Sequence, residues 1–442
     1  ASTEAASTEA ASTEAASTAH PPLAGTAILV TGMNYAPEHT GIAPYTTGTA
    51  EIAAGRGTSV EVLAGIPHYP SWRVDPDYRW RLRSRESRNG VEVRRARHYV
   101  PRSPTALWRM PWDATYVLNA ATMRPRRRPD IVIAVTPSPG GVVVGARWAR
   151  AYRVPLGVVV QDLVGQAARQ SGMSGGGRIA GAVTRVEAAL LRRAARVAVI
   201  SEGFRDQLEE YGIPGERVVS FPNWTHIQVT AVDRAQVRRE LGWPDDAFVV
   251  LHTGNMGLKQ DLGNVIEAAR RVDAGDRIHF VLLGDGNQRA QLEAAGRDVA
   301  ALSFHPPVPD ELYPKALRAA DLLLVNELPS VGEMSLPSKL TSYFAAGQPV
   351  LAAVSAGGAC ARELTRSQGA GLRVDPADPE ALLAAVRSLA GDAGRREAMG
   401  ASAVAYTERA LGRDVAARNV LGLVTALLAD AGRGASPGRT PR

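Results

Sequence analysis

The sequence predicts an α/β protein made of two doubly wound domains in series. Two observations carry that prediction. Short, fully apolar, β-branched runs recur between helical stretches at residues 131–135, 156–160 and 197–200, and a second series of strands with helices between them follows at 248–252, 278–283, 321–325 and 349–354. Such strands are buried on both faces, as in a parallel sheet covered by helices. The second observation is length, since 442 residues exceed what one ordinary core organises.

Taken in order, residues 1–22 are a tail dominated by the repeat Ala-Ser-Thr-Glu-Ala. A period of five matches neither a helix nor a heptad and builds no apolar stripe, so this segment reads as disordered. The first domain spans 23–230. It opens with a strand at 27–31, a loop through Gly32 and Gly41, a helix of about a dozen residues ending near Gly55 and Gly57, and a strand at 58–63. The segment Phe221-Pro222-Asn223-Trp224 ends this half. The second domain spans 231–405, a helix follows at 406–430 and is expected to pack back toward the first domain, and 431–442 is a Gly/Pro/Arg-rich tail.

Composition narrows the partners. One cysteine, Cys360, excludes an internal disulfide and a cysteine metal cluster, and fits a reducing cytoplasm. No apolar run approaches the roughly 18 residues of a membrane span, and no basic-then-apolar leader is present. A formal charge of +7 and a pI near 9.7 favour an anionic partner. Between Ser71 and Pro129 arginines greatly outnumber acids, and Trp72, Trp80, Trp108 and Trp112 lie among them. Arginine interleaved with tryptophan suits an anionic headgroup layer. No nucleic-acid-binding module accompanies it. The plainer reading is scattered charge with tryptophans in the core.

The chemistry gathers in three loops. In Thr31-Gly32-Met33-Asn34-Tyr35-Ala36-Pro37-Glu38-His39-Thr40-Gly41, Ala36 and Glu38 stand where a dinucleotide fingerprint needs glycines, which disfavours nicotinamide. Gly41 ahead of a helix still lets a phosphate approach the backbone. After the strand at 248–252, Gly254, Asn255 and Lys259 form a glycine turn with a lysine that lacks Walker spacing. After the strand at 322–325, Pro337, Ser338 and Lys339 open a helix that Gly347 closes. Two lysines beside helix N-termini would neutralise a diphosphate without a metal. The competing reading is two capped helices with solvated lysines. Gly284-Asp285-Gly286 is a tight turn after a third strand, and Gln161-Asp162 and His68 are candidates for the opposite face of a cleft. Asp162 could hold a hydroxyl or cap a helix. His and carboxylate spacing forms no metal site, and no Gly-x-Ser-x-Gly elbow is present.

Five signatures then stand in one order: residues 34–45, Pro67-His68-Tyr69-Pro70-Ser71-Trp72, Gln161-Asp162-Leu163, residues 254–260, and Pro337-Ser338-Lys339-Leu340. Together they resemble the glycosyltransferases of family 4 with the GT-B fold, close to the branch of exopolysaccharide biosynthesis of the colanic-acid type. That resemblance spans about 27–429. It implies two Rossmann-like domains facing across a cleft, with a nucleotide-diphosphate sugar held by the C-terminal domain and the acceptor by the N-terminal one. It implies retaining transfer to a glycan or lipid-linked acceptor, with no cofactor beyond the sugar nucleotide. Lys259 would stabilise the leaving phosphate, Glu333 would meet sugar hydroxyls, and Gln161 and Asp162 would lie near the reacting sugar. Gly41, Gly254, Asn255, Gly284, Ser335, Leu336, Pro337, Ser338, Lys339 and Ser342 would line the donor side. His39, Thr40, His68 and Tyr69 would line the acceptor side.

The sequence departs from the family pattern at Asn255 (commonly arginine), Ser342 (commonly a ribose-binding glutamate) and Gln161 (commonly histidine), and Gly332-Glu333 is transposed. These departures keep open a non-catalytic GT-B binding or scaffold protein, and a nucleotide-sugar epimerase. The expected enzyme is cytoplasmic, acting peripherally at the inner face of the cell membrane through an anionic surface, with no nucleic acid and no metal.

Overall fold

A computed structural model describes residues 23–101, 106–163, 176–227, 231–331 and 338–434, without the side chains of 106, 107, 109, 176–180, 338 and 434. Two sheets organise it. The first has eight strands: β1 (Ala27–Thr31), β2 (Ser59–Gly65), β3 (Arg83–Arg88), β4 (Val91–Ala96), β5 (Ile131–Val135), β6 (Leu156–Val160), β7 (Arg196–Val199) and β8 (Val218–Ser220). Their order is β3-β4-β2-β1-β5-β6-β7-β8, parallel throughout except for the antiparallel β3–β4 pair. The second sheet is fully parallel, in the order β11-β10-β9-β12-β13-β14. Its strands are β9 (Phe248–Asn255), β10 (Ile278–Asp285), β11 (Leu302–His305), β12 (Leu322–Asn326), β13 (Val350–Ala353) and β14 (Gly371–Val374).

Helices cover both faces of both sheets, as the unbroken apolar strands require. In the first half these are α1 (Ala43–Ala54), α2 (Ala106–Ala120), α3 (Pro139–Tyr152), α4 (Gly176–Leu191) and α5 (Phe204–Glu210). In the second they are α6 (Arg234–Leu241), α7 (Leu262–Arg270), α8 (Arg289–Ala295), α9 (Tyr313–Ala319), α10 (Ser338–Ala345), α11 (Ala359–Arg366), α12 (Pro379–Gly391) and α13 (Ala393–Tyr406). Two buried clusters flank each sheet.

A π-turn at Thr407–Leu411 links α13 to the last helix, α14 (Arg413–Gly434). This helix lays Ala416, Val420, Leu421, Leu423, Val424 and Leu427 into the first domain's core, beside Ile28, Val30 and Val62. A Cβ on Gly157 would sit 2.7 Å from Leu427, so that glycine permits the close approach of helix to strand. The helical run Ala393–Arg433 contains an 18-residue window apolar enough to cross a membrane by length and composition, which the sequence reading passed over. One third of that window (33%) is buried, and the buried residues of α14 pack into the first domain's core.

The arginine-rich stretch is folded differently from the expectation. Asn89 (φ 47°) and Gly90 (φ 80°) make the two-residue turn of a β3–β4 hairpin, and the sequence analysis did not use that Asn-Gly signal. Arg95 is buried and donates to the carbonyls of Ala36 and Gly65 and to Glu86. Arg94 pairs with Glu61 at 2.7 Å. Trp72 and Trp112 stack edge-on around His68, and Trp112 is buried. Half of the tryptophan signal is therefore core, while Trp80 is 88% exposed and Trp108 is also exposed.

Candidate active site

In an open parallel sheet, ligands sit past the carboxyl ends of the strands, where strand order reverses. In the second domain that point lies between β9 and β12. Gly254 ends β9 with φ 102°, exposed, and a Cβ placed there would lie 4.0 Å from Lys339 Nζ. Beside it, Gly284 at the end of β10 packs so tightly that a Cβ would meet the Gly254 carbonyl at 1.9 Å. Two glycines thus open the sheet edge over a lysine.

Lys339 lies in the first turn of α10, where unpaired N–H groups and the helix dipole add positive potential. Its Nζ stands 3.2 Å from Nε2 of the fully buried His252. The other ring nitrogen, Nδ1, lies 3.2 Å from the Leu324 carbonyl. The carbonyl needs a donor and the ammonium needs an acceptor, so the imidazole is neutral with its proton on Nδ1. Burial first, and then the neighbouring ammonium, hold His252 well below the usual histidine range. Burial also pushes Lys339 down to about 8, opposed by Glu327.

Glu327 is the residue the sequence reading missed. It follows β12 directly, and burial raises its carboxyl to about 7 against the pull of Lys339 and Lys259. Lys259 sits exposed in a 3-10 turn, Leu258–Gln260, that is tied to the same loop. Its carbonyl accepts from Leu328 N–H at 3.0 Å, and Asn326 Nδ2 donates to the carbonyls of Gln260 and Asp261 at 2.9 Å each. The loops after β9 and β12 are thereby locked together, placing two lysines and one carboxylate in one electrostatic cluster. A carboxylate two residues beyond the apolar run Leu322–Val325 was the available signal.

Other donor-side candidates differ in placement. Asn255 is exposed and donates to Gln260 at 3.4 Å. Ser342 is buried, and its hydroxyl hydrogen-bonds the Tyr313 phenol, within a polar knot where Thr253 N–H donates to the Tyr343 hydroxyl at 2.9 Å. Glu333, Ser335, Leu336 and Pro337 lie outside the described residues, as does the side chain of Ser338. Among the described residues no three His, Cys, Asp or Glu side chains stand close enough to share a metal ion.

The first domain presents its strand ends on the opposite side. Gly41 (φ 65°) starts the turn into α1, and a Cβ there would press to 3.0 Å against the Tyr69 ring. Glu38 is buried, and its Oε1 accepts from the backbone N–H groups of His68 and Tyr69 at 2.8 and 2.9 Å, while Oε2 accepts from Asn34. His68 is buried with Nδ1 2.9 Å from the Ile66 carbonyl and Nε2 accepting from Trp112 Nε1–H at 3.2 Å. Its ring therefore serves the loop, leaving the neighbouring Tyr69 ring partly exposed. The Thr40 hydroxyl is buried with no hydrogen-bond partner among the described residues. His39 is exposed and reaches across to Asp310 of the second domain at 3.6 Å.

Gln161 and Asn223 exchange two amide hydrogen bonds, at 3.0 and 3.1 Å, and both are buried. Asp162 Oδ1 accepts from Leu163 N–H at 2.9 Å, which favours a local turn role for that oxygen.

Residues 40–224 match a family model described as glycosyl transferase 4-like domain, and residues 247–392 match one described as glycosyl transferases group 1. The chain is 32% identical over 376 residues to a protein of Escherichia coli (strain K12) named as the colanic acid biosynthesis glycosyl transferase WcaI, covering 81% of this chain and 91% of that one. Among solved structures, sucrose-phosphate synthase from Thermosynechococcus elongatus is similar with a TM-score of 0.71 at 17% identity, over 92% of this chain and all of that one. Anabaena HepE in complex with UDP-glucose is similar with a TM-score of 0.66 at 17% identity, over 90% and 99% of the two chains.

Proposed function

The chain belongs to the family-4 glycosyltransferases of the GT-B fold, and from that premise we propose that it transfers a sugar, with retention and without a metal, from a nucleotide-diphosphate sugar to a glycan or lipid-linked acceptor in cell-surface polysaccharide synthesis. The observation that carries this reading is the desolvated ammonium of Lys339 beneath the Gly254 gap, with Lys259 in the adjoining loop. As the glycosidic C–O bond breaks, its electron pair leaves on the diphosphate. Negative charge then grows on phosphate oxygens where two ammonium groups and the α10 N-terminus already stand. Preorganised charge of this kind favours the departing group over the bound substrate. The similarity to a colanic-acid-type protein supports the polysaccharide setting, and the UDP-glucose complex of HepE supports a nucleotide sugar as donor.

Incubation with a panel of nucleotide sugars and acceptors tests the reading. Acceptor-dependent product with slow background hydrolysis is expected, at an unchanged rate in excess chelator. Loss of transfer on chelation, restored by magnesium or manganese, would remove the metal-independent mechanism. Donor epimerisation without acceptor product would replace the transferase.

We further propose that the acceptor is met at a cytoplasmic anionic membrane face. Support comes from where large apolar side chains remain exposed: of the ten among the described residues, six (Trp80, Leu82, Tyr99, Trp108, Met110 and Leu118) fall on α2 and the loops flanking β3 and β4, while Tyr69, Val186, Leu258 and Val404 lie elsewhere. Arginines surround them in the sequence. Rings at the interface with guanidinium groups on lipid phosphates are the expected arrangement. The wild type should co-sediment with phosphatidylglycerol vesicles and not with phosphatidylcholine alone, and Trp80→Ala/Trp108→Ala should weaken that binding. Equal binding to both vesicles, or none at low salt, rules it out.

A further inference from the structure

The first domain carries a basic concavity on the sheet edge opposite the cleft. It measures about 870 Å³ and opens among the ends of α3 and α4, the first residues of β6 and β7, and the last turns of α14. Seven arginines line it against two carboxylates. Three of them are engaged within the protein. Arg196 clasps Asp430 through two bonds of 2.7 and 3.0 Å, Arg433 pairs with the same carboxylate, and Arg192 donates to the Tyr211 carbonyl at 3.1 Å. Arg150, Arg153, Arg193 and Arg217 make no side-chain hydrogen bond or ion pair among the described residues.

The plainer explanation is dipole compensation, because Arg150 ends α3 and Arg193 follows α4. That accounts for one cation per helix end, worth a few tenths of a kcal/mol to about 1. Arg153, the C-cap residue of α3, is a second cation at that same end, and Arg217 ends only a three-residue 3-10 turn, so dipoles leave the gathering of four exposed, unpaired guanidinium groups around one hollow without an account. Like charges so gathered repel unless an anion joins them, and a concave wall focuses their field on it. The volume suits a small molecule or one segment of a chain. Guanidinium forks match phosphate oxygens two at a time.

We propose that this concavity binds clustered phosphoryl groups, at a site separate from the donor diphosphate. The two lie on different domains: Leu156 and Arg196 begin β6 and β7 of the first sheet, whereas the donor lysines follow the carboxyl ends of β9 and β12 of the second. The bidentate Arg196–Asp430 pair makes α14 one wall, so occupancy would also hold the terminal helix against the first domain.

The test is calorimetric titration of the full chain with inorganic tripolyphosphate at low salt. It compares the wild type with Arg193→Glu/Arg217→Glu and with Lys259→Ala/Lys339→Ala. The wild type should show two binding events, and each double variant should lose one, with affinity at the altered site falling about tenfold or more, as expected when charge-assisted bonds are removed. Sugar transfer by the arginine variant should be unchanged, which separates this site from the transferase reading. A single event, lost in the lysine variant and intact in the arginine variant, would overturn the proposal. Vesicles with and without phosphatidylglycerol identify the source: weakened sedimentation of the arginine variant points to lipid headgroups, and unaltered sedimentation points to a soluble phosphate.

Discussion

The two sides of the cleft are built on opposite principles. On the first domain, most polar candidates are satisfied by their own neighbours, the buried Thr40 hydroxyl excepted: Glu38 holds two backbone amides, His68 has both ring nitrogens engaged, and Gln161 and Asn223 close on each other. On the second domain, ionisable groups are crowded and only partly satisfied. Lys339 is pushed down to about 8, Glu327 up to about 7, and His252 is kept neutral beside them. One side fixes shape, and the other stores electrostatic potential. Lesions on the two sides should therefore differ in kind.

The largest effects belong to the charged side. Lys339→Ala and Lys259→Ala should each lower the transfer rate roughly 10²- to 10³-fold, about 2–4 kcal/mol, by analogy with removal of one oxyanion donor. The melting temperature should stay nearly constant in Lys259→Ala, whose side chain is exposed. Near-normal activity in either variant would remove that lysine from the donor site and dissolve the contrast.

On the other side, Glu38→Ala should act through the fold. It leaves the amides of His68 and Tyr69 without their acceptor inside a buried turn, at an expected cost of about 2–3 kcal/mol in stability. Denaturant midpoints should fall, and the acceptor KM should rise because the Tyr69 loop loosens, while kcat changes little. A large kcat loss at constant stability would show that this side also carries charge chemistry.

The sequence made the architecture readable because the central strands of both sheets carry β-branched, largely apolar runs and glycine turns close their ends. Lys259, Lys339, Gly254 and Gly284 were readable for the same reason: the two glycines lie at the ends of buried strands, Lys259 lies in the turn after one, and Lys339 opens a helix. The β3–β4 hairpin was not read, since β3 is a polar edge strand, Arg-Ser-Arg-Glu-Ser-Arg, with no apolar alternation. Glu327 was missed because its importance comes from burial among groups distant in sequence, Lys259 and Lys339, and no local pattern encodes burial. Trp72 and Trp112 were misleading in the same way, as composition cannot tell a packed ring from an exposed one.

The smallest and sharpest prediction concerns Glu327. Glu327→Gln removes the charge that holds Lys339 up, so the lysine should deprotonate below its present value of about 8. If the protonated amine binds the diphosphate, the alkaline limb of kcat/KM lies near pH 8 in the wild type and moves to lower pH in the variant. At pH 6, Glu327 is already mostly protonated, since burial raises it to about 7, and the two enzymes should nearly coincide. The difference should open as pH rises through 7 and stay below about tenfold, the order of one pKa shift. Stability supplies an independent readout. The folded state keeps the Glu327 proton between about 4.5 and 7 where the unfolded chain has lost it, so this group's stabilisation is full at low pH and disappears as pH rises through 7. Lys339 acts in the other direction: the unfolded chain keeps a proton between about 8 and 10.5 that the folded state releases, so its contribution grows with pH over that window. The variant should therefore flatten the fall in melting temperature between pH 5 and 7 and leave a rise above pH 8. An unmoved alkaline limb, with the acid-side slope intact, would mean that Glu327 does not sense the lysines, and that the second domain's cluster is two separate sites.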